Sequence, residues 1–245
     1  MVVRSWSELD FDNVCSNAKV FGFDLDNTLA SSKQPMKPAM IERFCALLDH
    51  TVVALISGGG MAVVTSQVLD VLTPNARRGN LHVMPTSGSR YYRWDGTQWA
   101  LVYAHDLSEA TVAAVSESLE RHARELGLWE QQVWGGLGDV YKRQKKQALV
   151  EAVKADLPHM RVRAGGYTSV DVSECGIDKA YAVRKLTQTL GIRADEMVFV
   201  GDRMTPTGND YPAVEAGAIG VRVENPQDTV QLLDALLARF DTPAR

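Results

Sequence analysis

The chain has 245 residues, enough for one large domain or for a core carrying a smaller inserted one. Hydrophobic residues at 45%, charged residues at 23% and a mean hydropathy of −0.14 are those of a soluble globular protein, and a net charge of −4 argues against a nucleic-acid surface. Cys15, Cys45 and Cys175 lack metal-ligand spacing, the N-terminus has no apolar signal core, and the longest apolar run is far too short to span a bilayer, so the expectation is a cytoplasmic protein with no membrane association.

The first strong element is a hydrophobic strand, Val20 to Phe23, that runs into Asp24-Leu25-Asp26-Asn27-Thr28. Two carboxylates one residue apart face the same space, and they ionise together only with a cation between them or a shared proton. Pro35 to Asp49 has the apolar spacing of a helix, and Thr51 to Ile56 is an unbroken apolar strand of the kind buried in a parallel sheet. This strand ends in Ser57-Gly58-Gly59-Gly60 ahead of a helix predicted over Met61 to Leu72, where a hydroxyl and unhindered amides make an anion site.

A third strand, Leu81 to Met84, precedes an aromatic hairpin, Tyr91 to Tyr103, that turns at Asp95-Gly96. A helix follows from the N-cap Ser108 to about Gly127. A hairpin and then a helix break the strand-helix alternation, so an insertion is expected from about residue 86. The segment from Trp129 to Lys146 shows no clear period, and its basic cluster is expected to be a solvated helix start. A helix from Gln147 to about Leu157 and two strands, Arg161 to Ala164 and Tyr167 to Val172, complete the insert.

Asp178 caps the next helix, which Gly191 closes, and Lys179 stands in its first turn against the helix dipole, where its ammonium has reason to face an anion. The strand Met197 to Val200 delivers Gly201-Asp202, and the loop continues to Gly208-Asn209-Asp210, so two carboxylates eight residues apart are able to fold back toward one cation. The strand Ala218 to Val223 and the helix Gln227 to Arg239 finish the alternation. In a parallel sheet these strand ends converge on one edge. Acidic groups, a hydroxyl and a lysine gathered there are what phosphoryl transfer requires.

The order of these motifs resembles the haloacid dehalogenase (HAD) superfamily of phosphohydrolases, over about residues 18–85 and 175–225. The resemblance implies an α/β fold: a Rossmann-like parallel sheet with helices on both faces, formed by residues 1–85 and 175–245, and an inserted α+β type II cap over 86–174 of the IIB pattern. The cap would close over the substrate as a lid. It looks shortened near 135–146, where Gly138 to Gln144 resembles translated adapter sequence. The resemblance also implies roles: Asp24 as nucleophile forming an aspartyl-phosphate, and Asp26 as the acid that protonates the leaving oxygen and later activates water. Mg²⁺ would be held by Asp24, the Asp26 carbonyl, Asp202 and Asp210, with Asn209 in support, and the phosphoryl oxygens by Thr28, Ser57, Gly58 and Lys179. The leading expectation is therefore a Mg²⁺-dependent phosphatase of a small phosphorylated substrate, a sugar phosphate first. A phosphohexomutase of the phosphomannomutase kind, favoured by the spacing from Asp202 to Asp210, and a catalytically silent metal- or phosphate-binding protein are the alternatives. Trp94, Trp99 and Tyr103 mark either an interface or the cap's own core, and the oligomeric state is not legible.

Overall fold

The computed structural model describes residues 3–128, 139–164 and 170–241. They form two compact units, one built from the two ends of the chain and one from Asp106–Gly176.

The first unit holds β1 (Val3–Ser5), α1 (Phe11–Asn17), β2 (Val20–Phe23), α2 (Pro38–His50), β3 (Val52–Ile56), α3 (Met61–Gln67), β4 (Leu81–Met84), β5 (Arg90–Trp94) and β6 (Trp99–Ala104). The second unit supplies α4 (Glu109–Glu125), α5 (Asp139–Asp156), β7 (Met160–Ala164) and β8 (Val170–Glu174). The first then resumes with α6 (Lys179–Leu190), β9 (Met197–Gly201), α7 (Tyr211–Glu215), β10 (Ile219–Arg222) and α8 (Pro226–Phe240).

Its sheet has the order β1-β10-β9-β2-β3-β4-β5-β6, parallel from β1 to β4 and antiparallel in the last two pairings. The apolar runs of β2 and β9 are buried along their whole length because both faces of the sheet are covered. Alternation divides them: Phe21, Phe23, Val53 and Leu55 pack with Phe44, Leu47 and Leu48 of α2 and Leu232, Leu233 and Leu236 of α8. Val20, Ala54 and Ile56 belong to a second core with Ala182, Val183 and Leu186 of α6 and Val214 of α7. Phe44 is fully buried in the first core, and truncating such a side chain to alanine costs about 3–5 kcal/mol.

After β2 the chain moves one way, to β3 and β4, whereas β9 and β10 pair on its other side. The carboxyl end of β2 is thus the point where strand order reverses, the place at which open α/β sheets form a crevice.

The hairpin of β5 and β6 does not belong to the insert. β5 pairs with β4, and the hairpin extends the core sheet by two strands. Trp94 and Trp99 stack edge to face at 5.4 Å between ring centroids, and the Tyr103 hydroxyl donates to the Gly88 carbonyl at 2.9 Å. The aromatic residues expected in a cap are therefore part of the core unit, and the second compact unit begins at Asp106 rather than near residue 86. An antiparallel addition at a sheet edge breaks strand-helix alternation just as an insertion does, which is why alternation alone misplaced the boundary.

The Asp106–Gly176 unit is an α+β body with its own core of Ala123, Leu149, Val150, Val153, Leu157, Met160 and Val162. Asp156, at the end of α5, accepts from Ser118 and Arg121 of α4 and lies 2.8 Å from His122 Nε2, fastening the two helices. Helix α5 begins at Asp139, eight residues before the expected start, so the stretch that resembled adapter sequence contributes its first turns. The rest of the suspected shortening, and the join expected at Gly165-Gly166, lie outside the described residues; β8 runs over Val170–Glu174 rather than Tyr167 to Val172.

Candidate active site

Asp24 leaves the end of β2, its N–H donating to the Val200 carbonyl at 2.9 Å so that the parallel pairing with β9 extends into the site. Asp24 is 5% exposed. Lys179, 1% exposed at the first position of α6, donates to Asp24 Oδ1 and to Asp210 Oδ1 and stands 5.4 Å from the centre of the Phe199 ring. The helix around it is set by Asp178, whose side chain accepts from the Ala180 and Tyr181 N–H groups, and by Gly191 at φ +66°. A lysine at a helix N-terminus opposes the dipole; here two buried carboxylates outweigh that cost.

Asp210 is fully buried and precedes α7, yet its side chain does not cap that helix. It turns instead to Lys179 and to the Arg203 N–H, 2.9 Å from Oδ2. The loop allows this because two glycines leave room: a β-carbon on Gly201 would lie 2.5 Å from Asp210 Cγ, and one on Gly208 would collide with the Arg203 carbonyl.

One carboxylate oxygen from each of Asp24, Asp202 and Asp210 lies within 4.8 Å of the other two. Three negative charges and the Lys179 ammonium leave a formal excess of two negative charges, and every available donor is a hard oxygen. That set suits Mg²⁺. The carboxyl groups register the crowding. Burial, with Asp210 and Asp202 adding to it and Lys179 opposing it, pushes Asp24 up to about 7. Burial and the charge of Asp210 push Asp202 up to about 6. For Lys179, burial acts downward, but Asp210 and Asp24 outweigh it and the net direction is upward.

Asp26 stands apart from this cluster. It is half-buried, and its Oδ1 accepts from the Lys33 N–H at 3.1 Å. Asn27, at φ +59°, makes the turn after it. Thr28 is fully buried and its hydroxyl has no partner among the described residues, and neither does the buried Asn209 Oδ1. A buried hydroxyl left unpaired costs about 1–3 kcal/mol, so an oxygen-rich ligand is the partner that would repay it.

Ser57, buried at the end of β3, is held by backbone bonds from its N–H to Met84 and from the Ser87 N–H to its carbonyl, while its Oγ accepts from the Gly59 N–H at 3.0 Å. Gly58 is exposed, with open space where a β-carbon would lie. Thr86 and Ser87, both at positive φ, bring the end of β4 against this loop. Sequence reasoning passed over that turn, and also Gln67 at the end of α3, which is shorter than predicted. The available signal for Gln67 was an amide on the stripe of Val64 and Val68, both fully buried.

The sequence profile of the family "Eukaryotic phosphomannomutase" matches residues 138–239. A probable phosphomannomutase of Caenorhabditis elegans is 22% identical over 255 residues, covering 92% of this chain and 98% of that protein. Among solved structures, a haloacid dehalogenase-like hydrolase from Bacteroides thetaiotaomicron superposes with a TM-score of 0.58 at 14% identity, over 89% of this chain and 98% of that one. The chain shares the fold of haloacid dehalogenase-like hydrolases. An IMP-bound Plasmodium falciparum IMP-nucleotidase gives a TM-score of 0.69 at 16% identity, over 91% of this chain and 69% of that one. The first compact unit is the one that carries Asp24, Ser57, Lys179 and Asp202.

Proposed function

We propose that this protein is a Mg²⁺-dependent phosphatase of small phosphorylated metabolites, with sugar phosphates as the first class to test. The observation that carries the reading is the buried grouping of Asp24, Lys179, Asp210 and Asp202 beside the unpartnered Thr28 hydroxyl. Such a site pairs a carboxylate nucleophile with charge placed where phosphoryl oxygens would lie.

In the reaction, Lys179 engages one oxygen of Asp24 and the other attacks phosphorus. The bond from phosphorus to the leaving oxygen breaks as Asp26 delivers a proton to that oxygen, which departs as an alcohol. Water then attacks the aspartyl-phosphate, its proton passing to Asp26, and the bond from phosphorus to Asp24 breaks to release inorganic phosphate. Thr28, Ser57 and the Gly58 N–H hold the phosphoryl oxygens. Asp24, Asp202 and Asp210, with Asn209 beside them, would hold Mg²⁺, which when bound neutralises the carboxylates and polarises the phosphoryl group.

The similarity to phosphomannomutases supports a second reading, a phosphohexomutase using the same Asp24 and Asp26. One experiment separates the two: incubate the protein with a panel of sugar monophosphates, with Mg²⁺ or with a chelator, and follow both free phosphate and positional isomers, with Asp24→Asn beside it. Free phosphate that needs Mg²⁺ and Asp24 supports the phosphatase; an isomer without free phosphate supports the mutase. Silence on every substrate, a simple phosphate ester included, would refute both and leave a binding protein. The unpaired Cys15, Cys45 and Cys175 support placing it in the reducing cytoplasm, and among the described residues no helix is long and apolar enough to cross a membrane.

A further inference from the structure

Residues 33–36, Lys-Gln-Pro-Met, follow the Asp26 turn, and proline leaves them only three backbone N–H groups. All three reach one residue, although the Gln34 N–H is shared with the Ser31 carbonyl at 2.9 Å. The Gln67 carbonyl accepts from the Met36 N–H at 2.9 Å, and the Gln67 side-chain oxygen, oriented to satisfy the donors that face it, accepts from Lys33 at 3.0 Å and Gln34 at 3.1 Å. Gln67 is 3% exposed, so water does not compete for these bonds. The Lys33 N–H is shared, because it also donates to Asp26 Oδ1 at 3.1 Å. Lys33 itself is held at φ +60°, a left-handed conformation that a non-glycine residue keeps only when its surroundings impose it.

We propose that Gln67 is a positioning residue for Asp26, acting through the Lys33 backbone; the proposal rests on the reading of Asp26 as the proton donor to the leaving group. With Oδ1 engaged by the Lys33 N–H, Asp26 presents Oδ2 to the leaving oxygen. The Gln67 carboxamide, accepting from this same N–H and from that of Gln34, sets its register. A general acid must lie within hydrogen-bond reach of the atom it protonates, and misplacement by about 1 Å costs on the order of 100-fold. Gln67 thereby couples α3, the helix that follows Ser57, to the proton-transfer arm of the site without touching substrate.

The test uses rapid-quench measurement of phosphoenzyme formation in Mg²⁺ from two substrates: an alkyl phosphate, whose leaving oxygen needs a proton, and p-nitrophenyl phosphate, whose phenolate leaves without one. Gln67→Met keeps length and burial but removes the accepting oxygen. It is expected to slow phosphoenzyme formation from the alkyl phosphate by about 10- to 100-fold and from p-nitrophenyl phosphate by less than about 3-fold. Gln67→Glu, which keeps accepting oxygens, is expected to restore most of the alkyl rate. Equal slowing on both substrates, or none on either, overturns the proposal. If Gln67→Met does not fold, Gln67→Asn, which withdraws the carboxamide by one methylene, carries the same comparison. Asp26→Ala must show the same substrate selectivity, more strongly, and Asp24→Asn must form no phosphoenzyme. Failure of those two controls would bring down the assignment of the site itself, and with it the role of Gln67, whereas their success beside an unselective Gln67→Met would defeat the role of Gln67 alone.

Discussion

His82, on β4, is 2% exposed and titrates far from its ordinary range. Its Nδ1 lies 2.6 Å from the Tyr91 hydroxyl, and the two rings stack with centroids 5.8 Å apart. Burial, and secondarily the positive charge of Arg93, hold the imidazole down to about 3. The unfolded chain binds its proton near the ordinary value of about 6.5, so acidification favours the unfolded state, and the stability tied to neutral His82, complete above about pH 6.5, drains away as pH falls toward 3. Between about pH 8 and pH 5 this amounts to about 2 kcal/mol. The wild-type curve alone will hide it, because Asp24 and Asp202 are shifted upward and act in the opposite direction: the folded state takes up their protons first, and acidification over the same window stabilises it. The informative quantity is therefore the difference between wild type and His82→Gln, which keeps a partner for Tyr91 but does not titrate. With a chelator present and urea unfolding followed by tryptophan fluorescence, the stability of the wild type relative to the variant should fall by about 2 kcal/mol between the two pH values. A relative stability constant to within about 0.5 kcal/mol across that window would refute the argument that His82 is kept neutral by burial.

Asp24→Asn should lower phosphate release by at least about 1,000-fold and leave no hydroxylamine-labile phosphoenzyme, measured by steady-state release and by acid quench. Thr28→Val replaces an unpartnered buried hydroxyl with a methyl group, so the free protein should gain about 1 kcal/mol while losing affinity for inorganic phosphate, both read from thermal unfolding with and without phosphate. Mg²⁺ at 100 times its dissociation constant should add about 2.7 kcal/mol, removable with a chelator and visible as a rise in Tm. Asp178→Ala removes bonds to the Ala180 and Tyr181 N–H groups at 3.0 and 3.1 Å and should cost about 1 kcal/mol in urea unfolding.

Much of the core was legible because its signals are local. An unbroken apolar run marks a strand buried on both faces, as in β2, β3 and β9, and Asp178 with Gly191 marks both ends of α6. The placing of Asp24, Ser57 and Asp202 at one edge followed from strand order, since parallel strands deliver their carboxyl ends there, whereas Lys179 reaches the site from the start of α6. The edge hairpin was legible as a hairpin but not by its partner: nothing local in β5 says that Arg93 pairs with His82. The role of Gln67 was hidden for a related reason, because its donors lie more than thirty residues earlier in the chain. Asp26 is not grouped with Asp24, Asp202 and Asp210, because β2 ends at Phe23 and the chain bends at Leu25, so strand alternation does not extend to it.

The assembly also explains how a site drawn from both ends of the chain tolerates an insert of its own architecture. Among the connections between the first core segment and the second, two pass through the site. One is the parallel pairing of Val20 to Phe23 with Met197 to Val200, extended by the Asp24 N–H onto Val200, which brings Asp202 beside Asp24. The other is the Lys179 ammonium, which ties Asp24 of the first segment to Asp210 of the second. Both lie within residues of the core unit, and neither uses a residue between Asp106 and Gly176. Lys179 is only two residues past the start of the second segment at Ile177, so α6 fixes its position as soon as Asp178 caps the helix, whatever precedes it. The nucleophile, its lysine and the acidic loop are thus held together by contacts among core residues.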